Sequence, residues 1–138
     1  MPKIILTGAS GLLGSEMINL LKKENINFIS IKSRIENLEN NLSKIEEFDP
    51  DIFFHFGALK TKKFLDNEAK KEIYESNVTL TNEVFNYCNR NNIKFIYIST
   101  ADLYKRYGES SFETDNLSQS QSTITGGFYG WTKYLGEE

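Results

Sequence analysis

The chain has 138 residues, of which 39% are hydrophobic, and a net charge of −3 from 16 basic and 19 acidic side chains. This length supports one hydrophobic core, so we expect a single domain over residues 1–138. Because charges of both signs are mixed along the chain, we expect no nucleic-acid partner. The apolar runs are too short for a membrane span, and Met1-Pro2-Lys3 leads directly into a predicted strand. We therefore expect no membrane association, no signal peptide and a cytoplasmic protein.

The chain contains one cysteine, Cys88, and one histidine, His55. A single cysteine excludes an internal disulfide and a cysteine-rich metal site. A single histidine argues against a catalytic zinc site and a Ser-His-Asp triad. We expect no bound metal.

Short apolar segments separated by helical stretches run along the chain. The predicted strands cover residues 3–6, 27–31, 52–56 and 94–98. Continuous apolar runs are typical of strands covered on both faces in a parallel sheet. The first helix is predicted to bury Leu13, Met17, Leu20 and Leu21. The second, with Leu42, Ile45 and Phe48, should end at Asp49-Pro50. The third, at about residues 67–91, has inward positions Ile73, Asn77, Leu80, Val84 and Cys88. This alternation predicts an α/β fold with a doubly wound parallel sheet.

A glycine-rich turn, Thr7-Gly8-Ala9-Ser10-Gly11-Leu12-Leu13-Gly14, follows the first strand and opens the first helix. Backbone N–H groups and the positive end of a helix dipole meet there, which suits a pyrophosphate. Gly8 allows the tight turn, Gly11 lets a ligand approach, and Gly14 lets the helix pack on the strand. The pattern in this context predicts dinucleotide binding. A glycine turn without a ligand is the alternative.

A polar segment at about residues 108–127 interrupts the strand–helix alternation. A loop of this length inside a compact domain is usually functional or disordered. We interpret it as an active-site flap, with simple disorder as the alternative.

Tyr129 and Lys133 are four positions apart, a spacing that stacks two side chains on one helix face. An ammonium about 4 Å from a phenol, at an effective dielectric of about 20, contributes roughly 4 kcal/mol. That is about three pKa units, enough to bring the phenol near neutrality for acid/base work. Taken alone, the pair also fits an exposed helix surface.

Ser99-Thr100 follows the last predicted strand, at the sheet edge where ligands bind in open α/β folds. A hydroxyl there can bond a substrate oxygen, or it can serve as a turn or cap residue. Asn77 is polar on an otherwise apolar stripe, so its amide must find buried partners. It is either a plain structural amide or a support for the region around Lys133.

Five motifs together resemble the extended short-chain dehydrogenase/reductases, the nucleotide-sugar epimerase/dehydratase group. They are the glycine turn, His55-Phe56-Gly57-Ala58, Asn77-Val78, Ser99-Thr100-Ala101-Asp102-Leu103-Tyr104 and Tyr129-Gly130-Trp131-Thr132-Lys133. The resemblance implies a Rossmann NAD(P)-binding fold and a trio of Thr100, Tyr129 and Lys133, with Asn77 as the supporting amide. It implies that Tyr129 exchanges a proton with a sugar hydroxyl or ketone while the nicotinamide takes or gives a hydride. The cofactor would be held by Gly8, Ser10, Gly11, Leu12, Leu13, Gly14, Phe56, Gly57, Ala58 and Lys133.

Departures from the family pattern narrow the expected reaction. Dehydratases carry an acidic pair directly after the threonine, and here Ala101 replaces the first acid although Asp102 keeps the second. This argues against dehydration. The segments Ser33 to Leu38 and Phe48 to Ile52 resemble 4-ketoreductases of deoxysugar synthesis, such as dTDP-4-dehydrorhamnose reductase and GDP-fucose synthase. Reductase and epimerase chemistry both stay open.

The turn after the second strand bears on the choice of cofactor. Lys32, Ser33 and Arg34 stand where an acidic residue would hold the ribose diol of NAD. These side chains suit a 2′-phosphate, so we expect NADP, with NAD as the alternative.

The chain is about half as long as typical family members, so we expect an amino-terminal Rossmann part that stops before the substrate lobe. The implied partner of the full-length form is a nucleotide sugar, and a homodimer is a further expectation. A non-catalytic NADP-binding module, such as a redox sensor, and an inactive fragment are the alternatives to an enzyme.

Overall fold

The computed structural model describes residues 1–31, 38–60, 66–100, 103 and 127–138. Within these ranges one parallel sheet is formed, in the order β2-β1-β3-β4. Its strands are β1 (Ile4–Thr7), β2 (Phe28–Ile31), β3 (Ile52–His55) and β4 (Lys94–Tyr97). Each lies within one residue of its predicted bounds, so the predicted parallel sheet is confirmed. The strand order reverses between β1 and β3, where open α/β sheets form their ligand crevice.

Helices follow the strands as the sequence predicts. They are α1 (Leu12–Lys23), α2 (Leu42–Phe48), α3 (Asn67–Tyr74), α4 (Leu80–Arg90) and α5 (Gly127–Leu135). Helix α2 ends at Phe48, and its C-cap residue Asp49, directly before Pro50, has a left-handed φ of 52°. In the described part of the chain, no helix is long and apolar enough to cross a bilayer.

The predicted third helix contains a change of helix type. A π segment (Glu75–Thr79) joins α3 to α4, so the helical run covers residues 67–90 against the predicted 67–91. The five predicted inward positions are all buried: Ile73, Asn77, Leu80, Val84 and Cys88. Such π turns occur frequently at functional sites.

Both faces of the sheet are covered. Ile4 and Leu6 of β1 pack with Leu21 on one face, and Ile5 packs with Phe53 and the helices α2 and α4 on the other. Adjacent residues of one strand point to opposite faces, so a fully buried strand has to be apolar throughout. The expected double covering is confirmed.

The predicted inward stripe of α1 is wrong at two positions. Leu13 and Leu20 are 57% and 51% exposed, while Gly14 and Leu21 are buried. Met17 and Ile18 pack on the same apolar cluster as Leu21. The backbone of Gly14 is pressed against the carbonyl of Gly8, which sets the rotation of the helix and turns Leu13 outward.

Candidate nucleotide and acid/base site

Backbone packing builds the glycine turn at the carboxyl end of β1. Gly8 has a φ of +72°, and a Cβ on it would lie 2.7 Å from the backbone nitrogen of Gly57. A Cβ on Gly14 would overlap the carbonyl oxygen of Gly8. Only glycine satisfies both contacts. The turn therefore lies directly against Phe56 and Gly57, and the two segments predicted to hold the cofactor meet.

The start of α1 presents backbone donors at this turn. Gly11 is the N-cap residue, and as a glycine it has no side chain that could cap the helix. The first hydrogen bond of the helix runs from the N–H of Ser15 to the carbonyl of Gly11. Ser10, Gly11, Leu12 and Leu13 are exposed. N–H groups at a helix start, together with the positive end of the dipole, attract a phosphate. The donor set fits the pyrophosphate of a dinucleotide.

Several predicted features lie outside the described residues. These are Lys32, Ser33, Arg34, Ala101, Asp102 and the greater part of the predicted flap, residues 108–126. The final residue of that predicted flap, Gly127, is the first residue of α5. Strand β2 ends at Ile31, opposite Thr7, at the same sheet edge as the glycine turn.

Asn77 lies in the π segment and is 1% exposed. Its Oδ1 accepts the N–H of Leu59 at 2.7 Å, and its Nδ2 donates to the Leu59 carbonyl at 3.0 Å. The same Nδ2 donates to Thr132 Oγ1 at 3.1 Å, and the Thr132 hydroxyl donates to the carbonyl of Tyr129 at 2.8 Å. One buried amide therefore fastens the segment after Gly57 to helix α5.

Lys133 is only 2% exposed, and its Nζ lies 4.0 Å from the centroid of the Tyr97 ring. The Tyr97 hydroxyl donates to the Lys133 carbonyl at 3.2 Å, so the same side chain holds the lysine at two points. Burial lowers the pKa of Lys133 to about 8, opposed by the charge of Glu137. Burial, followed by the charges of Glu137 and Tyr129, raises the pKa of Tyr97. The aromatic face supplies the cation–π attraction that a buried ammonium needs.

Tyr129 and Thr100 both lie at this end of the molecule. Tyr129 is half-buried on α5, one turn before Lys133, as its spacing predicts. Thr100 is half-buried three residues beyond the end of β4, and its carbonyl accepts the N–H of Leu103 at 3.5 Å. Beside it, the buried hydroxyl of Ser99 has no hydrogen-bond partner within the described part of the chain.

The structure also adds residues that the sequence reasoning missed. Thr7, Thr81, Tyr97 and Thr132 support the predicted site residues through the contacts above and through His55. The one signal that the sequence offers for them is a polar residue at a position that the apolar pattern predicts to face the core.

Comparison with known proteins identifies the class. Residues 4–138 match the model of the NAD dependent epimerase/dehydratase family, so the chain belongs to that family. This confirms the resemblance inferred from the five motifs.

Individual relatives match at least 95% of this chain but are longer than it. ADP-L-glycero-D-manno-heptose-6-epimerase of Brachyspira hyodysenteriae is 25% identical and matches 95% of this chain and 46% of its own length. The dTDP-4-dehydrorhamnose reductase of Bacillus anthracis, solved in complex with NADP, is 26% identical with a TM-score of 0.79, covering 99% of this chain and 48% of its own. The Clostridium acetobutylicum reductase of the same description is 25% identical with a TM-score of 0.75, covering 98% of this chain and 47% of its own. The chain therefore spans about half the length of these relatives.

Proposed function

We propose that this chain is the cofactor-binding half of an NAD(P)-dependent nucleotide-sugar oxidoreductase with 4-ketoreductase or epimerase chemistry. The main support is that Asn77 connects Leu59, which follows the strand beside the glycine turn, to the helix of Tyr129 and Lys133. The turn offers donors for a pyrophosphate, and the helix offers a phenol and an ammonium. Family membership and the two dTDP-4-dehydrorhamnose reductases support the substrate class.

Gly8, Ser10, Gly11, Leu12, Leu13 and Gly14 would hold the cofactor together with Phe56, Gly57, Ala58 and Lys133. When bound, the nicotinamide supplies the hydride chemistry and the protein supplies orientation. The exposed Leu12 and Leu13 side chains offer apolar surface beside the phosphate donors. We propose NADP over NAD because Lys32, Ser33 and Arg34 suit a 2′-phosphate.

In this proposal Tyr129 moves the proton at the sugar oxygen, and Thr100 donates a hydrogen bond to that oxygen. Lys133 lowers the pKa of the phenol through its charge, and Asn77 and Tyr97 keep the lysine in place. Burial weakens the hold of Lys133 on its proton, but with a pKa of about 8 the side chain still carries its charge in most molecules at neutral pH. A nucleotide sugar as substrate and a homodimer as assembly complete the proposal.

The cofactor part is tested by titration calorimetry of the chain with NADP⁺ and NAD⁺. We expect both to bind, NADP⁺ more tightly, and Gly11→Val to weaken both by about tenfold or more because its side chain enters the pyrophosphate space. Lys32→Ala with Arg34→Ala should remove the preference, while the exposed pair Lys22→Ala with Lys23→Ala is the matched control. Equal or NAD⁺-favouring affinity in the unaltered chain contradicts the NADP assignment.

The chemical part is tested in the full-length protein. Tyr129→Phe should lower turnover of an NDP-4-ketosugar by about 10²–10⁴-fold with cofactor affinity unchanged, since a general acid/base contributes that much. Tyr74→Phe, at an exposed ring on α3, is the control. Near-normal turnover by Tyr129→Phe would favour a non-catalytic cofactor-binding module.

A further inference from the structure

A continuous series of buried hydrogen bonds connects the glycine turn to the π segment through the ring of His55. The N–H of Gly57 lies 3.2 Å from Thr7 Oγ1, and that oxygen lies 2.8 Å from His55 Nδ1. On the other side of the ring, His55 Nε2 lies 3.1 Å from Thr81 Oγ1, which lies 2.8 Å from the Asn77 carbonyl oxygen. Thr7, His55 and Thr81 are each at most 1% exposed.

The Asn77 end fixes the bond directions as far as Nε2, and the direction at Nδ1 follows because a neutral ring carries only one hydrogen. The Asn77 carbonyl can only accept, so it takes the single hydroxyl proton of Thr81. Thr81 Oγ1 therefore accepts from His55 Nε2, which must carry a hydrogen. At the other end the N–H of Gly57 can only donate, so it occupies a lone pair of Thr7 Oγ1. The Thr7 hydroxyl is then free to donate to an unprotonated Nδ1.

The surroundings of the ring favour its neutral form. The rings of Phe95 and Tyr97 pack against His55 from β4, and Lys133 on α5 is the charged group that acts on it. Burial, followed by the charge of Lys133, lowers the pKa of His55 to about 3. A neutral ring has one donor and one acceptor, which is what the two threonines require.

We propose that His55 is a positioning residue, held as the neutral Nε2–H tautomer, that fixes Asn77 relative to the glycine turn. Thr81 holds the backbone carbonyl of Asn77, which leaves the side-chain amide to bond Leu59 and Thr132. The placement of the helix that carries Tyr129 and Lys133 thereby depends on the β1–β3 edge. The consequence for catalysis rests on the proposed function, but the direction of the bonds does not.

The tautomer is measured by nitrogen NMR of the chain labelled with ¹⁵N-histidine, without cofactor. Because His55 is the only histidine, one pair of ring nitrogens is observed. We expect a protonated Nε2 and an unprotonated Nδ1 throughout pH 5–8. A predominant Nδ1–H form, or an imidazolium forming within that range, would overturn the proposal. Failure to bind NAD(P) would contradict the proposed function but would leave the tautomer result unaffected.

Substitutions at Thr81 test the link from the ring to Asn77. Thr81→Val removes the acceptor of Nε2–H, so the tautomer ratio should fall about fivefold, the change that corresponds to one hydrogen bond of about 1 kcal/mol. In the uniformly ¹⁵N-labelled chain, the side-chain NH₂ signals of Asn77 should also shift. Thr81→Ser keeps the hydroxyl and should restore both, and Thr79→Val, two residues earlier at the end of the π segment, is the control. Unchanged signals in Thr81→Val would contradict the link. Thr7→Val repeats the test at Nδ1 if Thr81→Val does not fold.

Discussion

The two sides of the sheet edge that form the candidate site are built by different means. On the β1–α1 side, glycine backbones touch directly, and the contact between Gly8 and Gly57 determines the shape. On the α5 side, buried polar side chains determine it, through the bonds of Asn77 to Leu59 and Thr132. The first side is a steric arrangement, and the second is a hydrogen-bonded one.

This difference determines how each side should respond to substitution. A steric contact of backbone atoms has no room for even one added methyl group, since backbone cannot move aside as a flexible side chain can. A hydrogen-bonded side tolerates changes of volume but suffers when a buried partner loses its bond. Substitutions that add volume and substitutions that remove a hydrogen bond, each with a control elsewhere in the chain, distinguish the steric side from the hydrogen-bonded side.

The largest effect is expected from Gly8→Ala. Its left-handed φ of +72° costs about 1–2 kcal/mol for a residue with a Cβ, and overpacking against Gly57 adds about 1–3 kcal/mol. Gly127 has a similar φ of +57°, but among the described residues no heavy atom beyond its chain neighbours lies within 4 Å of an added Cβ. Gly127→Ala should therefore show the backbone strain alone. Urea unfolding of both variants measures the difference, and equal losses would show that the contact with Gly57 is unimportant.

Asn77→Leu tests the hydrogen-bonded side. It removes three side-chain hydrogen bonds, including both that the half-buried backbone of Leu59 makes with Asn77, so we expect the free energy of unfolding to fall by about 3 kcal/mol. The control is Asn91→Ala, which removes one bond, from Nδ2 to the Tyr87 carbonyl, at the exposed end of α4. That change should cost about 1 kcal/mol or less. If the two losses were alike, Asn77 would not be a central support.

Lys133→Met should increase stability, and only at lower pH. Burial lowers the lysine pKa from 10.5 to about 8, so between these values the unfolded chain binds more protons and stability rises with pH. Below pH 8 the buried charge costs about 3 kcal/mol, since each unit of pKa shift corresponds to about 1.4 kcal/mol, and the methionine removes this cost. We expect a gain at pH 7 that shrinks towards zero at pH 10.5 by urea unfolding. Lys71→Met, on the exposed face of α3, is the control. A gain that does not depend on pH would contradict the buried-charge explanation.

The sequence predicted the steric side more fully than the hydrogen-bonded side. Period, strand composition and the spacing of Gly8, Gly11 and Gly14 are local signals, and they gave the sheet, the turn and the helix order. The rotation of α1 was misjudged because the contact of Gly14 with Gly8, rather than apolar content, sets it. The partners of Asn77 are not predictable from the sequence because Thr132 is 55 residues away and because Asn77 lies in a π segment, whose geometry differs from that of the predicted α-helix.

We expect the glycine turn and the helix of Tyr129 and Lys133 to form one nicotinamide site. A titration of the isotope-labelled chain with NADP⁺, followed by NMR, tests it most directly. We expect the signals of Gly8, Gly11, Gly57 and Lys133 to shift together and to give one dissociation constant. Shifts confined to the turn, with Lys133 unchanged at saturation, would contradict it.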